Sequence, residues 1–162
     1  MVIAPNDFRD EEFFETKEIL EKSNIDVTVV NSTGQPSKSK FGKIVTPDKN
    51  FYDVDAKDFD AIVFVGGLGT TAYFNHKRAL ELAKEFSGSG KVVAAICIAP
   101  TILVNAGILS GKKATAYPSE RNNINAVGTY TGSDVTVDGK IITSSGPQAA
   151  AEFGRRIAEA LK

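Results

Sequence analysis

The sequence is poor in the residues that usually bind metals or cross-link chains. Its 162 residues include one cysteine, one histidine, one methionine and no tryptophan. A single cysteine excludes an internal disulfide framework and fits a reducing compartment. With only one histidine beside it, a zinc site would need several carboxylates, and no ligand spacing supports one. We therefore expect no metal, and we expect a cytoplasmic protein.

Long apolar runs and a strong net charge are also missing. No stretch approaches the ~20 apolar residues of a membrane span, and the net charge is −1. Neither a membrane nor a nucleic acid is therefore expected as a partner. Apolar residues make up 42% of the chain, which suits one core, and we assign residues 1–162 to a single domain. The abrupt apolar start, Met1–Ala4, resembles the end of a buried strand, so we expect a few residues to precede it and no secretory leader.

Apolar runs alternate with helical patterns along the chain. This order predicts an α/β fold with a mainly parallel sheet covered on both faces. Residues 34–58 are expected to form a loop with edge strands around Gly42–Thr46 and Phe51–Val54, and Asp138-Gly139 predicts a hairpin turn. The predicted strands are Met1–Ala4, Ile25–Val30, Asp60–Val65 and Lys91–Ile96, and the predicted helices are Asp10–Lys22, Ala72–Phe86, Thr101–Ala106 and Gln148–Leu161.

The only cysteine, Cys97, follows the strand Lys91–Ile96 and precedes a helix that Pro100 begins and Gly107 ends. The thiol therefore lies on a strand-to-helix turn at the carboxyl edge of the sheet, where open α/β sheets bind ligands. A helix N-terminus favours the reactive thiolate, so we expect a lowered pKa for Cys97. A lone cysteine is more often an inert apolar residue, and the residues alone leave the two interpretations about equal.

Gly66 and Gly67 follow the strand Asp60–Val65. Glycines let backbone N–H groups approach a ligand closely, and beside a nucleophile such donors form an oxyanion hole. The segment lacks the acid of a dinucleotide-binding fingerprint and the lysine of a P-loop. We therefore expect oxyanion donors here and no cofactor.

Glu11 and Glu12 open the first predicted helix at the same edge of the sheet. Acids are common in a first turn because they suit the helix dipole, but from this position a side chain could also reach Cys97. The only histidine, His76, lies in a polar segment that indicates a solvated helix start. A Cys–His pair would need hydrogen-bond contact between the two side chains, and nothing in the sequence favours it.

Together these motifs resemble the ThiJ/PfpI superfamily over essentially the whole chain. The resemblance implies a flavodoxin-like sandwich with a reactive Cys97 on a nucleophile elbow, hydrogen-bonded to Glu12. It also implies that the backbone N–H groups of Gly67 and Ile98 face the sulfur, and that the chain forms a homodimer or a larger ring. The matching segments are Ala61–Gly67, Ala95–Pro100, Ala116–Pro118, Ile142–Pro147 and the acidic start of the first helix.

The chain departs from that family at two positions where other members carry a histidine. Ile98 follows the cysteine, and Tyr117 precedes the proline. Tyr117 could donate a hydrogen bond but cannot serve as a general base near neutral pH. Tyr117 and Glu11 remain supporting candidates around Cys97 and Glu12.

Three functions stay open at this point. The first is an enzyme acting on small reactive carbonyls, glyoxalase-like or deglycase-like, in which Cys97 attacks and Glu12 moves the proton. The second is a redox sensor or chaperone-like stress protein whose partner is an oxidant of Cys97. The third is an intracellular cysteine protease or amidase, which the missing histidine makes the weakest of the three.

Overall fold

Short strands and five helices make up the computed structural model, which describes residues 1–162. None of the helices combines the length and the apolar character of a membrane span. The helices are α1 Asp10–Lys22, α2 Lys77–Gly88, α3 Pro100–Asn105, α4 Arg121–Asn125 and α5 Ala150–Ala160. The strands are β1 Asn6–Phe8, β2 Val30–Asn31, β3 Ser37–Ser39, β4 Ile44–Val45, β5 Lys49–Asn50, β6 Ala61–Phe64, β7 Val92–Ile96, β8 Lys113–Ala114, β9 Thr129–Tyr130, β10 Val135–Asp138 and β11 Ile141–Ser144.

The central sheet has the strand order β10-β11-β7-β6. Strands β6, β7 and β11 are parallel, and β10 is antiparallel to β11. Val2 forms parallel bridges to both Phe64 and Val30, so the first residues extend the sheet beyond β6. Every residue of β7 is buried, as expected for a parallel strand that is covered on both faces.

Two helical layers cover the sheet. Along β7, Val93 and Ala95 pack into the core that contains the apolar residues of α2 and α3. The alternating residues of β7 instead pack against Phe153 and Ile157 of α5. Gly154 allows α1 and α5 to approach closely, since a Cβ there would lie 3.2 Å from the Ile19 side chain. The predicted α/β sandwich is therefore confirmed.

Several predicted elements have different bounds in the structure. The prediction of a strand at Ile25–Val30 is wrong for all but its last residue, because the Val29 amide donates to the Asp48 carboxylate at 2.7 Å and not to a neighbouring strand. The predicted strand Phe51–Val54 is also wrong. Phe51–Asp53 forms a 3-10 turn, which the Asn50 side chain caps by accepting from the amide of Tyr52.

The predicted helix Ala72–Phe86 begins later than expected. Leu68–Tyr73 forms a 3-10 helix, and regular α-helix starts only at Lys77. The buried hydroxyl of Tyr73 donates to the Ile3 carbonyl at 2.9 Å and accepts from Ser32, which holds this segment against the sheet edge. By contrast, α1 has the predicted bounds, and the hairpin β10–β11 turns through Gly139 as predicted.

Candidate active site

Cys97 lies on a strained turn between β7 and α3. Its φ of 64° is in the left-handed region, which costs a residue with a Cβ roughly 1–2 kcal/mol. Two backbone hydrogen bonds hold it there: the Cys97 amide donates to Ser144 at 2.9 Å, and the Tyr117 amide donates to the Cys97 carbonyl at 2.8 Å. The turn directs a partly buried side chain to the carboxyl edge of the sheet.

Glu12, in the first turn of α1, is brought against this cysteine. Its side chain is fully buried, and Gly66 provides the space for it. A Cβ on Gly66 would collide with Glu12 Oε2 and would lie 2.7 Å from the Cβ of Cys97. The amide of Arg9, one residue before α1, donates to the Gly66 carbonyl at 3.0 Å, which joins the start of α1 to the end of β6.

The carboxyl group of Glu12 is buried with little hydrogen bonding from the protein. Neither of its oxygens has a hydrogen-bonding partner of good geometry. Burial raises the pKa of Glu12 from 4.5 to about 7, while the Cys97 thiol and the Gly66 amide act in the opposite direction. A buried carboxylate without partners is unfavourable, so Glu12 keeps its proton up to near-neutral pH.

The Cys97 thiol is perturbed in the same sense. Burial, followed by the charge and hydrogen bonding of Glu12, raises its pKa to about 12, while the amides of Ile98 and Gly67 lower it. The sequence argument for a lowered pKa of the Cys97 thiol is therefore wrong. The reason is that burial and a neighbouring carboxylate outweigh the N-terminus of the six-residue helix α3.

The two groups share one negative charge between them. With Glu12 protonated, its repulsion of the thiolate disappears and its O–H becomes a donor to the sulfur. The state in which both groups are ionised is disfavoured, so Glu12 and Cys97 titrate as a coupled pair. Over a wide pH range the pair holds a single proton. When that proton is on Glu12, Cys97 is the thiolate.

Gly67 cannot be replaced without moving the backbone around it. Its φ is +107°, and a Cβ would lie 2.5 Å from the Asp7 carbonyl oxygen and 2.6 Å from the Arg9 amide nitrogen. This packing fixes the Gly67 amide beside the thiol, and the amides of Gly67 and Ile98 both favour the charged sulfur. The structure thus brings Cys97, Glu12, Gly66, Gly67 and Ile98 together.

The remaining candidates lie farther out. The Tyr117 amide donates to the Cys97 carbonyl, and Tyr117 as a residue is 49% exposed. Glu11 forms an ion pair with Arg9 at 2.7 Å. The imidazole of His76 packs against the ring of Phe51, and its Nε2 lies 3.4 Å from a tyrosine hydroxyl, with no hydrogen bond to the cysteine. A Cys–His pair is therefore not formed within this chain.

Sequence reasoning missed two residues near the site. Arg9 directly precedes the acidic first turn of α1, and no sequence motif marks it as a site residue. Glu120, which is 8% exposed, accepts hydrogen bonds from the hydroxyls of Thr101 at 2.8 Å and Ser119 at 2.7 Å. Glu120 thereby joins the segment after Tyr117 to α3. No local sequence pattern predicts a buried glutamate at this position. No three metal-binding side chains come together in the structure.

Residues 1–160 match the model of the DJ-1/PfpI family. The chain belongs to the DJ-1/PfpI family. It is 43% identical to an uncharacterised protein of Methanocaldococcus jannaschii, covering 100% of this chain and 81% of that one. It is 35% identical to the protein dj-1beta of Drosophila melanogaster, covering 99% and 87% of the two chains, and the crystal structure of that protein superposes with a TM-score of 0.91.

The crystal structure of a ThiJ/PfpI domain protein from Brachyspira murdochii is also similar, with a TM-score of 0.96, 32% identity and coverage of 99% and 93% of the two chains. The flavodoxin-like fold of this DJ-1/PfpI protein is thereby confirmed. Other relatives at 30–34% identity are named as a deglycase, a glutathione-independent glyoxalase and a putative cysteine protease.

Proposed function

We propose that this protein is a cysteine-dependent enzyme that acts on small reactive carbonyl compounds, in the manner of a glyoxalase or deglycase. The observation that carries the proposal is the pairing of Cys97 with a buried carboxyl group whose proton has no other acceptor. Such a pair supplies a nucleophile and a proton donor at the same place. Several relatives bear the names deglycase and glyoxalase, which agrees with this chemistry.

The first chemical step follows from the pair. The Cys97 thiolate adds to the carbonyl carbon, and the π electrons of the C=O bond move to its oxygen. That oxygen takes the proton of the Glu12 carboxylic acid, so the product is a neutral thiohemiacetal and Glu12 becomes a carboxylate. The carboxylate can then take a proton back in the next step. One group therefore acts as acid and then as base.

A protease function is less well supported. One relative at 34% identity is named a putative cysteine protease. Hydrolysis of a peptide needs a group that protonates the leaving amine, which cysteine proteases obtain from a histidine. In this chain the His76 ring packs against aromatic side chains and forms no hydrogen bond with Cys97. The proton would therefore have to come from Glu12.

A redox function is the second candidate. A similar structure, 27% identical with a TM-score of 0.89, is that of an oxidised DJ-1 from Toxoplasma gondii. Mild peroxide should then add about 32 Da, two oxygen atoms, to Cys97. Glu12→Leu should prevent the addition by removing the donor to the oxidised sulfur, and an unmodified wild-type cysteine would exclude this candidate.

The carbonyl proposal is tested by the consumption of methylglyoxal. Cys97→Ser should abolish it, and Glu12→Gln should lower the rate by roughly 10²–10⁴-fold, because the amide keeps the shape of the acid but cannot transfer a proton. Glu15→Gln, on the exposed face of the same helix, is the matched control and should retain full activity. Equal consumption by the wild type and Cys97→Ser would refute the proposal.

A further inference from the structure

Arg9 is a charged residue at the site that the chemistry proposed above does not use. It lies directly before α1, and its amide donates to the carbonyl of Gly66, the glycine that leaves room for Glu12 beside Cys97. Its side chain is 25% exposed. It is therefore at the boundary between the buried pair and the solvent from which a substrate arrives.

The guanidinium of Arg9 already binds a carboxylate in this position. Its Nε donates to Glu11 Oε2 at 2.7 Å, and its Nη2 donates to Glu11 Oε1 at 3.2 Å. A guanidinium has five N–H groups, so the other three are free for a second acceptor. Planar, bidentate binding of carboxylates is the geometry that arginine favours.

A second cation lies nearby. The Arg9 guanidinium carbon is 5.3 Å from the centre of the Phe41 ring, and Lys40 Nζ is 5.7 Å from the same centre. Both distances are within the range of cation–π contact. Arg9 and Lys40 are thus two cations on the same rim, which also carries the carboxylates of Glu11 and Asp10.

The loop that carries Lys40 is anchored to the protein. The carboxylate of Asp10, which is 6% exposed, accepts from the Ser39 hydroxyl at 2.5 Å and from the Phe41 amide at 3.1 Å. Asp10 is thus turned towards the loop backbone. These two hydrogen bonds fix the backbone around Lys40 and Phe41 relative to α1.

Arg9 is electrostatically coupled to the reactive pair. The hydrogen bond that Arg9 donates to Glu11 is the main cause that raises the pKa of Arg9, and the charges of Glu11, Glu12 and Cys97 raise it further. In return, Arg9 lowers the pKa of Glu12. The guanidinium is therefore close enough to Glu12 and Cys97 to interact with negative charge on either group.

We propose that Arg9, assisted by Lys40, determines specificity at the Cys97 site and favours carbonyl compounds that carry a carboxylate next to the reacting carbon. Neutral carbonyls of the same size are disfavoured. The proposal builds on the carbonyl chemistry proposed above, but the preference for negative charge holds for any small electrophile that reaches the thiolate.

Alkylation of Cys97 tests the charge preference without any need for turnover. Iodoacetate and iodoacetamide have nearly the same size and react alike: the sulfur forms a bond to carbon and iodide leaves. They differ in charge. The ratio of their two rate constants therefore reports charge selection, while the iodoacetamide rate alone reports the reactivity of the thiolate.

Arg9→Gln should lower the ratio of the iodoacetate rate to the iodoacetamide rate about fivefold, which corresponds to about 1 kcal/mol. Arg9→Lys should retain most of the ratio, and high salt should reduce it in the wild type. Lys22→Gln is the matched control, since Lys22 is an exposed cation in the last turn of α1, about 18 Å along the helix from its first residue. An unchanged ratio in Arg9→Gln, or an equal fall in Lys22→Gln, would overturn the proposal.

A carbonyl version of the experiment uses glyoxylate and its neutral methyl ester. Each aldehyde forms a reversible thiohemiacetal with Cys97 and should protect it from iodoacetamide. Glyoxylate should protect the wild type at a lower concentration than the ester, and Arg9→Gln should remove that advantage. If methylglyoxal were not consumed but the iodoacetate-to-iodoacetamide ratios behaved as expected, the carbonyl proposal would fail and the charge preference would stand. The two proposals can therefore be refuted separately.

Discussion

The buried carboxyl group of Glu12 should make the protein less stable as the pH rises towards neutrality. Burial raises its pKa from 4.5 to about 7, so the folded state favours the protonated form. The contribution of protonated Glu12 to the free energy of unfolding is fully present below pH 4.5 and is lost as the pH rises through 7. A rise of that size corresponds to about 3 kcal/mol.

Glu12→Gln should remove this dependence, because glutamine has the shape of the protonated acid and does not ionise. The variant and the wild type should have similar free energies of unfolding near pH 4.5. At pH 8 the variant should be more stable by about 3 kcal/mol. Urea unfolding followed by far-UV circular dichroism at several pH values measures the difference.

Glu15→Gln controls for the loss of one carboxylate from the same helix, and it should retain the fall in stability of the wild type. The reasoning would be refuted if the difference between the wild type and Glu12→Gln were the same at pH 5 and pH 8. That result would mean that Glu12 is ionised at low pH and is stabilised by partners the structure does not contain.

Three further substitutions test the packing of the site. Gly66→Ala should destabilise the protein by about 2 kcal/mol in urea unfolding and slow alkylation of Cys97, because the new Cβ collides with Glu12; wild-type behaviour would contradict this. Cys97→Gly should be more stable than Cys97→Ala by about 1 kcal/mol, since only glycine adopts a φ of 64° without strain; the reverse order would count against a strained elbow. Glu120→Ala should lower the melting temperature and cost about 2 kcal/mol by leaving the Thr101 hydroxyl without its acceptor, which calorimetry would detect.

Much of the fold could be predicted because the strongest patterns are local. The amphipathic helix α1 and the buried strand β7 have the predicted character, since each carries its own periodicity. The segment before β6 could not be predicted in the same way. Its short strands and 3-10 turns depend on polar side chains that accept from backbone amides. Asp48 accepts from Val29, which is distant in the sequence, and Asn50 accepts from Tyr52 within an irregular turn.

The position of Cys97 on the elbow could be predicted from the residues around it, and the choice of Glu12 came from the family resemblance. The direction of the thiol pKa could not be predicted. It depends on how deeply Glu12 and Cys97 are buried together, which no spacing in the sequence expresses. Arg9 was missed for a related reason, because the hydrogen bond from its amide to Gly66, which places Arg9 beside the site, forms only in the folded chain.

The central claim is that Cys97 and Glu12 share one proton and that the thiolate reacts while Glu12 holds it. The fraction of protein in that form is constant wherever the pair holds a single proton, between the pKa of about 7 associated with Glu12 and the pKa of about 12 associated with Cys97. Below pH 7 the pair gains a second proton and the thiolate is lost.

The most direct test is the rate of Cys97 alkylation by iodoacetamide as a function of pH. For the wild type, the logarithm of the rate should rise with pH up to about 7 and then remain level to at least pH 9. Glu12→Gln should lose the inflection near 7. A wild-type rate that rises tenfold with every pH unit from 6 to 10 would show an isolated thiol, and would contradict the account.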